Sequence, residues 1–305
     1  MQILLSGASG MVGQALRTQL RRGGHQAVSL VRRPVSPGEQ AVQWDPYAFE
    51  TVADATALEG FDAAVHLSGA NLSEGRWTPA RKALFRSSRL VPTEQLARLL
   101  AGRVRKPSVL VCASAIGVYG NRGDEVLTET SAPGSGFLPD LCLAWEDAAK
   151  VAEEAGIRVV HLRYGVILSQ HGGALKKMLP VFRLGLGGPM GTGRQWMSWV
   201  SLPDAVGTIA FAVTNGSVAG ALNVTAPHPV TNADFTRAMG YVLHRPAVLP
   251  VPAFALQLAF GEMAEGTILS SARVLPQRLL QAGYAFRHVR LEAALHDLLR
   301  PYAEE

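Results

Sequence analysis

Apolar positions along the chain follow two alternating rhythms. Ile3-Leu4-Leu5 is a short continuous run, the segment Gly7-Ala8-Ser9-Gly10-Met11-Val12-Gly13 interrupts it, and Val12, Leu16 and Leu20 then recur at helical spacing. That pattern predicts strand, glycine turn and helix. Gly23-Gly24 stops the helix and Ala27 to Val31 supplies a second strand, so the first 31 residues predict one βαβ unit. The alternation continues with a strand from Phe61 to Leu67 ending at Ser68-Gly69, a long helix from Pro79 to Leu100, and a strand from Ser108 to Ala113. After a loop to about Pro139 come a helix from Leu141 to about Glu154 and a strand from Ile157 to Leu162. Strands that read as unbroken apolar runs and alternate with helices predict an α/β fold, a doubly wound parallel sheet of Rossmann type covered on both faces.

After Gly165 the texture changes. Residues 171 to 203 are rich in Gly and Trp, Asp204 offers a cap for a helix to about Val213, and Ala221 to Val224 predicts one more strand. Thr231-Asn232-Ala233-Asp234 predicts a capped helix running to about His244, and Val251 to Ala303 reads as helices punctuated by proline. The expected division is a Rossmann domain over 1–170, to which 204–225 return, and a smaller, mostly helical C-terminal lid over 171–203 and 226–305. The lid should close over the C-terminal ends of the strands, where doubly wound folds bind ligands.

Composition fits a large buried core: 305 residues, 48% hydrophobic and 17% charged. The sum of 29 basic and 24 acidic side chains leaves +5, a mild excess that permits an acidic small-molecule ligand. Nucleic-acid binding would need a continuous basic stripe with interleaved aromatics, and nucleic acid is not an expected partner. Two cysteines, Cys112 and Cys142, form no disulfide framework and have no zinc-ligand spacing, which predicts a reducing, cytoplasmic setting and no metal. The N-terminus has no signal-peptide pattern, no apolar run reaches a membrane-spanning length, and no membrane partner is expected.

Gly7, Gly10 and Gly13, spaced G-x-x-G-x-x-G between strand and helix, predict a dinucleotide cradle. A pyrophosphate needs close backbone approach there, and the helix N-terminus presents free N–H groups with roughly half a positive charge. Cofactor choice follows from the end of the second strand, Val31-Arg32-Arg33-Pro34, where an NAD site would carry an acid. Guanidinium groups at Arg32 and Arg33 suit a ribose 2′-phosphate instead, so the expected cofactor is NADP(H). Charge placement agrees: Met1 to Arg33 carries five Arg and no acid, whereas 34 to 70 carry six acids and no Lys or Arg.

The glycine turn, Val65-His66-Leu67-Ser68-Gly69-Ala70-Asn71 and Ala113-Ser114-Ala115-Ile116-Gly117-Val118-Tyr119-Gly120 resemble the extended short-chain dehydrogenase/reductase superfamily. Gly75-Arg76-Trp77-Thr78, Ala144-Trp145-Glu146, Phe182 to Gly188, Gly193 to Trp199 and Gly261-Glu262-Met263-Ala264 are similar to its atypical subfamily named for nucleoside-diphosphate-sugar epimerases. The resemblance runs from residue 1 to about 300. It implies a Rossmann domain with cofactor contacts at Gly7, Ser9, Gly10, Met11, Val12, Gly13, Arg32, Arg33, Leu67, Ser68, Gly69, Arg89 and around Gly165 to Ile167, and a C-terminal pocket of sugar-nucleotide type.

The superfamily's active members use a Tyr and a Lys four residues later, and no Tyr-x-x-x-Lys occurs among the six tyrosines here. Where the pair should lie, the chain reads Leu141-Cys142-Leu143-Ala144-Trp145-Glu146, which sets Cys142 and Glu146 at those places. The substitute candidates are Ser114, Tyr119, Cys142 and Glu146; Cys142 also reads as a small buried helix residue, and Tyr119 as pocket wall. A positioned acid or base contributes roughly 10²- to 10⁴-fold in rate, so its loss bears directly on activity.

For the substrate, Arg183, Arg194 and Gln195 combine with Trp196 and Trp199 over a glycine-rich loop, and Arg76-Trp77 forms a second wall. Aromatic faces stack a base or sugar ring, and Arg and Gln bind diphosphate or hydroxyls. The leading expectation is an NADP-dependent epimerase or oxidoreductase acting by hydride transfer on a nucleotide sugar or a related carbonyl or hydroxyl compound. Its rival is a non-catalytic NADPH-binding protein that reports cofactor state through its lid. A monomer or homodimer is expected.

Overall fold

The computed structural model describes residues 1–48 and 55–300. Seven strands form one parallel sheet: β1 (Gln2–Ser6), β2 (Gln26–Val31), β3 (Ala41–Gln43), β4 (Ala63–His66), β5 (Val109–Ala115), β6 (Arg158–Tyr164) and β7 (Gly220–Val224). Their order across the sheet is β7-β6-β5-β4-β1-β2-β3. The order reverses between β1 and β4, so the chain leaves those two strands in opposite lateral directions and opens a crevice beyond their C-terminal ends.

Alternation along each strand divides the core into two layers. Ile3 and Leu5 of β1 pack with Leu16 and Leu20 of α1 (Met11–Arg22) and with Ala205, Ile209 and Ala212 of α6 (Leu202–Thr214). Leu4, Ala64 and Leu110 face the other way, against Leu96, Ala97 and Leu100 of α2 (Pro79–Ala101) and Ala152 of α4 (Lys150–Glu154). Burial on both faces explains the unbroken apolar runs. The short strand β3, which extends the sheet beyond β2, was not anticipated.

The predicted helix over 141–154 is two helices, α3 (Phe137–Asp147) and α4, parted at Ala148-Ala149. The cap of α6 is not Asp204 but Ser201, whose Oγ accepts from the Asp204 N–H. Pro203 in the first turn lacks an N–H, and the helix therefore begins at Leu202, one residue after the hydroxyl.

The C-terminal region is mostly helical, with α5 (Gly173–Arg183), α7 (Asn232–Leu243), α8 (Ala253–Phe260), α9 (Gln277–Gln281) and α10 (Leu291–Leu299). Thr231 and Asp234 form the predicted capping box of α7. Leu179, Phe182, Trp199, Phe235, Met239 and Leu295 unite α5, α7 and α10 in a third apolar cluster. The last five residues of the expected lid, 301–305, lie outside the described residues. No described helix is long and apolar enough to cross a membrane.

Candidate functional site

The glycine turn closes on the crevice between β1 and β4. Gly7 has φ +72°, and a β-carbon there would stand 2.7 Å from the Leu67 carbonyl carbon. A β-carbon on Gly13 would stand 2.3 Å from Gly7 O, so these two glycines let the turn, the β4 end and α1 pack together. Gly10 differs, because its missing β-carbon would meet only Gly7 O, at 3.4 Å. It is the N-cap of α1 and brings no side chain to the helix N-terminus, and the first turn carries no acid. The first N–H groups of α1 thus face the crevice uncapped and unneutralised, a fit to a phosphate. Met11 lies under a second loop, since a β-carbon on Gly172 would come within 2.8 Å of its sulfur.

Behind the turn runs a buried chain that the sequence reading missed. Ser68 Oγ donates to Ser6 Oγ at 3.1 Å, and Ser6 Oγ lies 2.6 Å from His66 Nδ1. Burial pushes His66 down to about 4, so it is neutral and accepts from Ser6 at Nδ1. The chain fixes Ser68 at the mouth of the crevice.

Arg32 and Arg33 part company at the end of β2. Arg33 forks onto Glu39, and its Nη1 also donates to Pro34 O, whereas Arg32 is exposed and makes no side-chain hydrogen bond or ion pair among the described residues. Arg89 is buried rather than on a solvated helix face. It donates to Phe85 O and Ala70 O, stacks on Trp145 at 5.0 Å, and lies against Gly69. Burial pushes its guanidinium down to about 10, and its bonds secure the 69–70 backbone beside the crevice.

Three of the four expected catalytic positions, Ser114, Tyr119 and Glu146, join in one network through Arg163, a residue not singled out from sequence. Ser114, the next-to-last residue of β5, donates to Glu146 Oε1 at 2.6 Å. Arg163, its register partner on β6, donates through Nε to Oε1 and through Nη2 to Oε2, both at 2.8 Å. Its Nη1 reaches the Tyr119 hydroxyl at 3.1 Å, and that hydroxyl donates to Asn223 Oδ1 at 2.7 Å. Burial raises the Glu146 carboxyl, but the Arg163 bonds and charge and the Ser114 bond outweigh it and hold the group below the ordinary carboxylate value. Burial, opposed in part by Arg163, raises the Tyr119 phenol, which is wholly enclosed. Burial and the Glu146 charge push the Cys142 thiol up to about 12. Cys142 packs with Val118, Tyr119 and Val274 as a core side chain.

The expected substrate residues do not gather at one place. Trp199 is wholly buried and donates to His228 O, and Trp77 is buried between Phe85 and Phe137 and donates to Leu72 O. Neither presents a face to a ligand; both staple loops to the core. Gln195 is also buried and donates to Met190 O and Ile268 O. Trp196 donates to Asp124 and lies under the Arg273 guanidinium at 4.3 Å. Arg76 binds Leu258 O, joining the second wall to α8, while Arg183 and Arg194 are exposed. Ile167 lies on a short strand paired with Val200, next to the loop that covers Met11. No described cluster of His, Cys, Asp and Glu has metal-binding form.

Comparison with known proteins places these features in a family. Residues 3–225 match the model described as the NAD dependent epimerase/dehydratase family, and 251–298 match a domain of unknown function, DUF1731. An epimerase family protein of Mycobacterium tuberculosis is 42% identical over 293 residues, 96% of each chain. Human epimerase family protein SDR39U1 is 35% identical over 302 residues, 98% of this chain and all of that one. The solved structure of human SDR39U1 (isoform 2) with NADPH superposes with a TM-score of 0.90 at 33% identity, over 98% and 99% of the two chains. A nucleoside-diphosphate sugar epimerase of Corynebacterium glutamicum superposes with a TM-score of 0.79 at 35% identity, over 98% of this chain and 58% of that one.

Proposed function

Because this chain belongs to the NAD-dependent epimerase/dehydratase family, we propose that it binds NADP(H) and transfers hydride to or from a carbonyl or hydroxyl compound of nucleotide-sugar type. The observation that carries this reading is the cradle itself: a glycine turn and an acid-free helix N-terminus at the reversal point of the sheet, packed against the backbone at Leu67 and Ser68. Arg32 supports NADP(H) over NAD(H), since it offers an uncommitted guanidinium where a 2′-hydroxyl site would need a carboxylate. The NADPH in the human relative's structure supports the same choice.

A nicotinamide cofactor supplies hydride-transfer chemistry when bound. The chain's own part divides between holding the cofactor and orienting the substrate. The N-terminal N–H groups of α1 hold the pyrophosphate, Arg32 holds the ribose phosphate, and Ser68 and Ile167 flank the cofactor. Ser114 spends its proton on Glu146, so its oxygen keeps lone pairs with which to orient a substrate hydroxyl. Arg163 keeps Glu146 ionised and thereby keeps Ser114 turned that way.

A second reading, an NADP(H)-binding protein without turnover, draws on one specific observation. Tyr119 and Cys142 are pushed above their ordinary values, and Glu146 and the buried His161 below theirs. None of these shifts moves a group toward neutral pH, where an acid or base works best. One titration and one turnover assay separate the readings. Arg32→Ala should weaken NADPH roughly 10- to 100-fold, the loss of one charge-assisted bond, and leave NADH unchanged. Single-turnover oxidation of bound NADPH with a panel of nucleotide-sugar ketones should proceed in the wild type and fall at least tenfold in Ser114→Ala. Unaltered NADPH preference in Arg32→Ala refutes the cofactor assignment; tight NADPH binding with no oxidation by any ketone favours the second reading.

A further inference from the structure

From residue 155 to 261 the chain holds eight Lys and Arg and only two acids, Asp204 and Asp234. That stretch alone carries more positive charge than the whole protein's +5. Several of the eight are committed. Arg158 caps backbone carbonyls of α6 and the following turn, Arg163 binds Glu146, Arg237 pairs with Asp234, and Lys177 bonds Ser73. Lys176, Arg183, Arg194 and Arg245 remain without a carboxylate partner among the described residues.

Arg183 and Arg245 border an apolar face, the first next to Leu184 and the second beside Tyr241 and Val248. Leu184, Tyr241, Val248, Phe254 and Leu258 are each 69–76% exposed, so their side chains stand out from the surface instead of lining a slot. The face is continuous. Arg245 Nε donates to Arg183 O, Leu249 N to Gly187 O and Val251 N to Pro189 O, which lays 183–189 beside 245–251 directly ahead of α8. A β-carbon on Gly185 would touch Pro246, at 3.1 Å. Helix α8, Ala-Phe-Ala-Leu-Gln-Leu-Ala-Phe, is apolar at every position but Gln257, which donates to the exposed Glu265 carboxylate, and it buries only Leu256. Between α7 and the 246–248 segment an open groove of about 840 Å³ is lined by Arg237, Tyr241, His244, Arg245 and Val248.

We infer that this face docks on the surface of an anionic lipid bilayer, with α8 and the 184–186 and 248–249 loops at the acyl boundary and the free cations at the headgroups. Two arguments select that occupant. Projecting aliphatic and aromatic side chains with unpaired Lys and Arg at their rim are the makeup of surfaces that lie in a membrane interface. A second copy of the chain does not fit, because two-fold pairing through this face would set its uncompensated cations against themselves. The sequence-based expectation of no membrane partner rested on the absence of a span, and this surface would lie on a bilayer without crossing it.

Co-sedimentation with vesicles tests the inference. The full chain should pellet with phosphatidylcholine vesicles containing phosphatidylglycerol and stay in solution with phosphatidylcholine alone, and added salt should release it. Arg183→Gln with Arg245→Gln should weaken binding about 25-fold, at roughly fivefold per cation. Phe254→Ser with Leu258→Ser should weaken it at least about tenfold, with melting temperature and NADPH affinity unchanged. Failure to pellet with anionic vesicles overturns the proposal, as does equal pelleting on both. A dimer in sedimentation velocity that Leu258→Ser dissociates also overturns it, by assigning the face to a second copy. If a variant melts early, the two lipid compositions and the salt series on the wild type decide the matter alone.

Discussion

Arg163 grips both carboxylate oxygens of Glu146, the residue at the place of the superfamily's lysine, with Nε and Nη2 each at 2.8 Å. Both side chains are nearly enclosed. Removing one partner of such a pair leaves an uncompensated buried charge, so Arg163→Met should destabilise the protein by about 3–5 kcal/mol at pH 7. The pH dependence has a definite sign. Glu146 titrates below its ordinary value of 4.5 in the folded protein, so its contribution is complete above that value and is lost as pH falls through the depressed one. Urea denaturation from pH 7 to 3 should therefore show the gap between wild type and Arg163→Met narrowing only in the acid range. A gap constant with pH would argue that packing, not charge, sets the loss.

The glycine turn separates fold from ligand binding. A β-carbon on Gly13 would meet backbone at 2.3 Å, and neither partner has a flexible end to move away. Gly13→Ala should cost about 1–3 kcal/mol of stability as well as cofactor binding. Gly10→Ala meets nothing closer than 3.4 Å, yet its methyl group would stand at the uncapped N-terminus of α1. It should melt as the wild type does while losing NADPH affinity, and calorimetry on both variants checks the contrast.

The parallel sheet was legible because strands covered on both faces must read as apolar runs, and the cradle because glycine there answers a steric demand. Contacts between distant strands were not. Arg163 is 17 residues from Glu146 and 44 from Tyr119, and only the β5–β6 register brings them together. Trp196 and Trp199 read alike in sequence, but residues three apart in extended backbone point to opposite sides, and so one enters the core while the other reaches Asp124. For Arg89 a signal was present: it stands four residues after Phe85 and four before Thr93, on the buried stripe of α2.

His66 should impose a pH dependence of its own. Its folded value near 4 lies below the ordinary 6.5, so the unfolded chain takes up the proton first. The stability held by neutral His66 is complete above 6.5 and drains away as pH falls toward 4, by about 3 kcal/mol over that interval. His66→Gln, which retains an acceptor for Ser6, should flatten the decline between those two values in urea titrations. An unchanged slope would mean that other groups carry it.

Asp204 ties the C-terminal segment to the sheet domain through both of its oxygens. Oδ1 accepts from Arg287 N at 2.7 Å and from the Tyr284 hydroxyl, and Oδ2 accepts from His288 N at 2.9 Å and Ser201 Oγ at 2.8 Å. Every partner is a donor, and the side chain is buried at the first turn of α6. Asp204→Asn is therefore not a mild change, because whichever oxygen becomes the amide nitrogen turns a donor toward a donor. It leaves at least one buried N–H unsatisfied, at about 1–3 kcal/mol for each such group. Asp204→Ala and Asp204→Asn should thus lower stability by similar amounts, more than about 2 kcal/mol each. Hydrogen exchange should show faster opening of the amides of 284–288 in both. If Asp204→Asn behaves as the wild type, the four bonds are not acting through the carboxylate's two acceptors, and the attachment of the C-terminal segment rests on α10 packing instead.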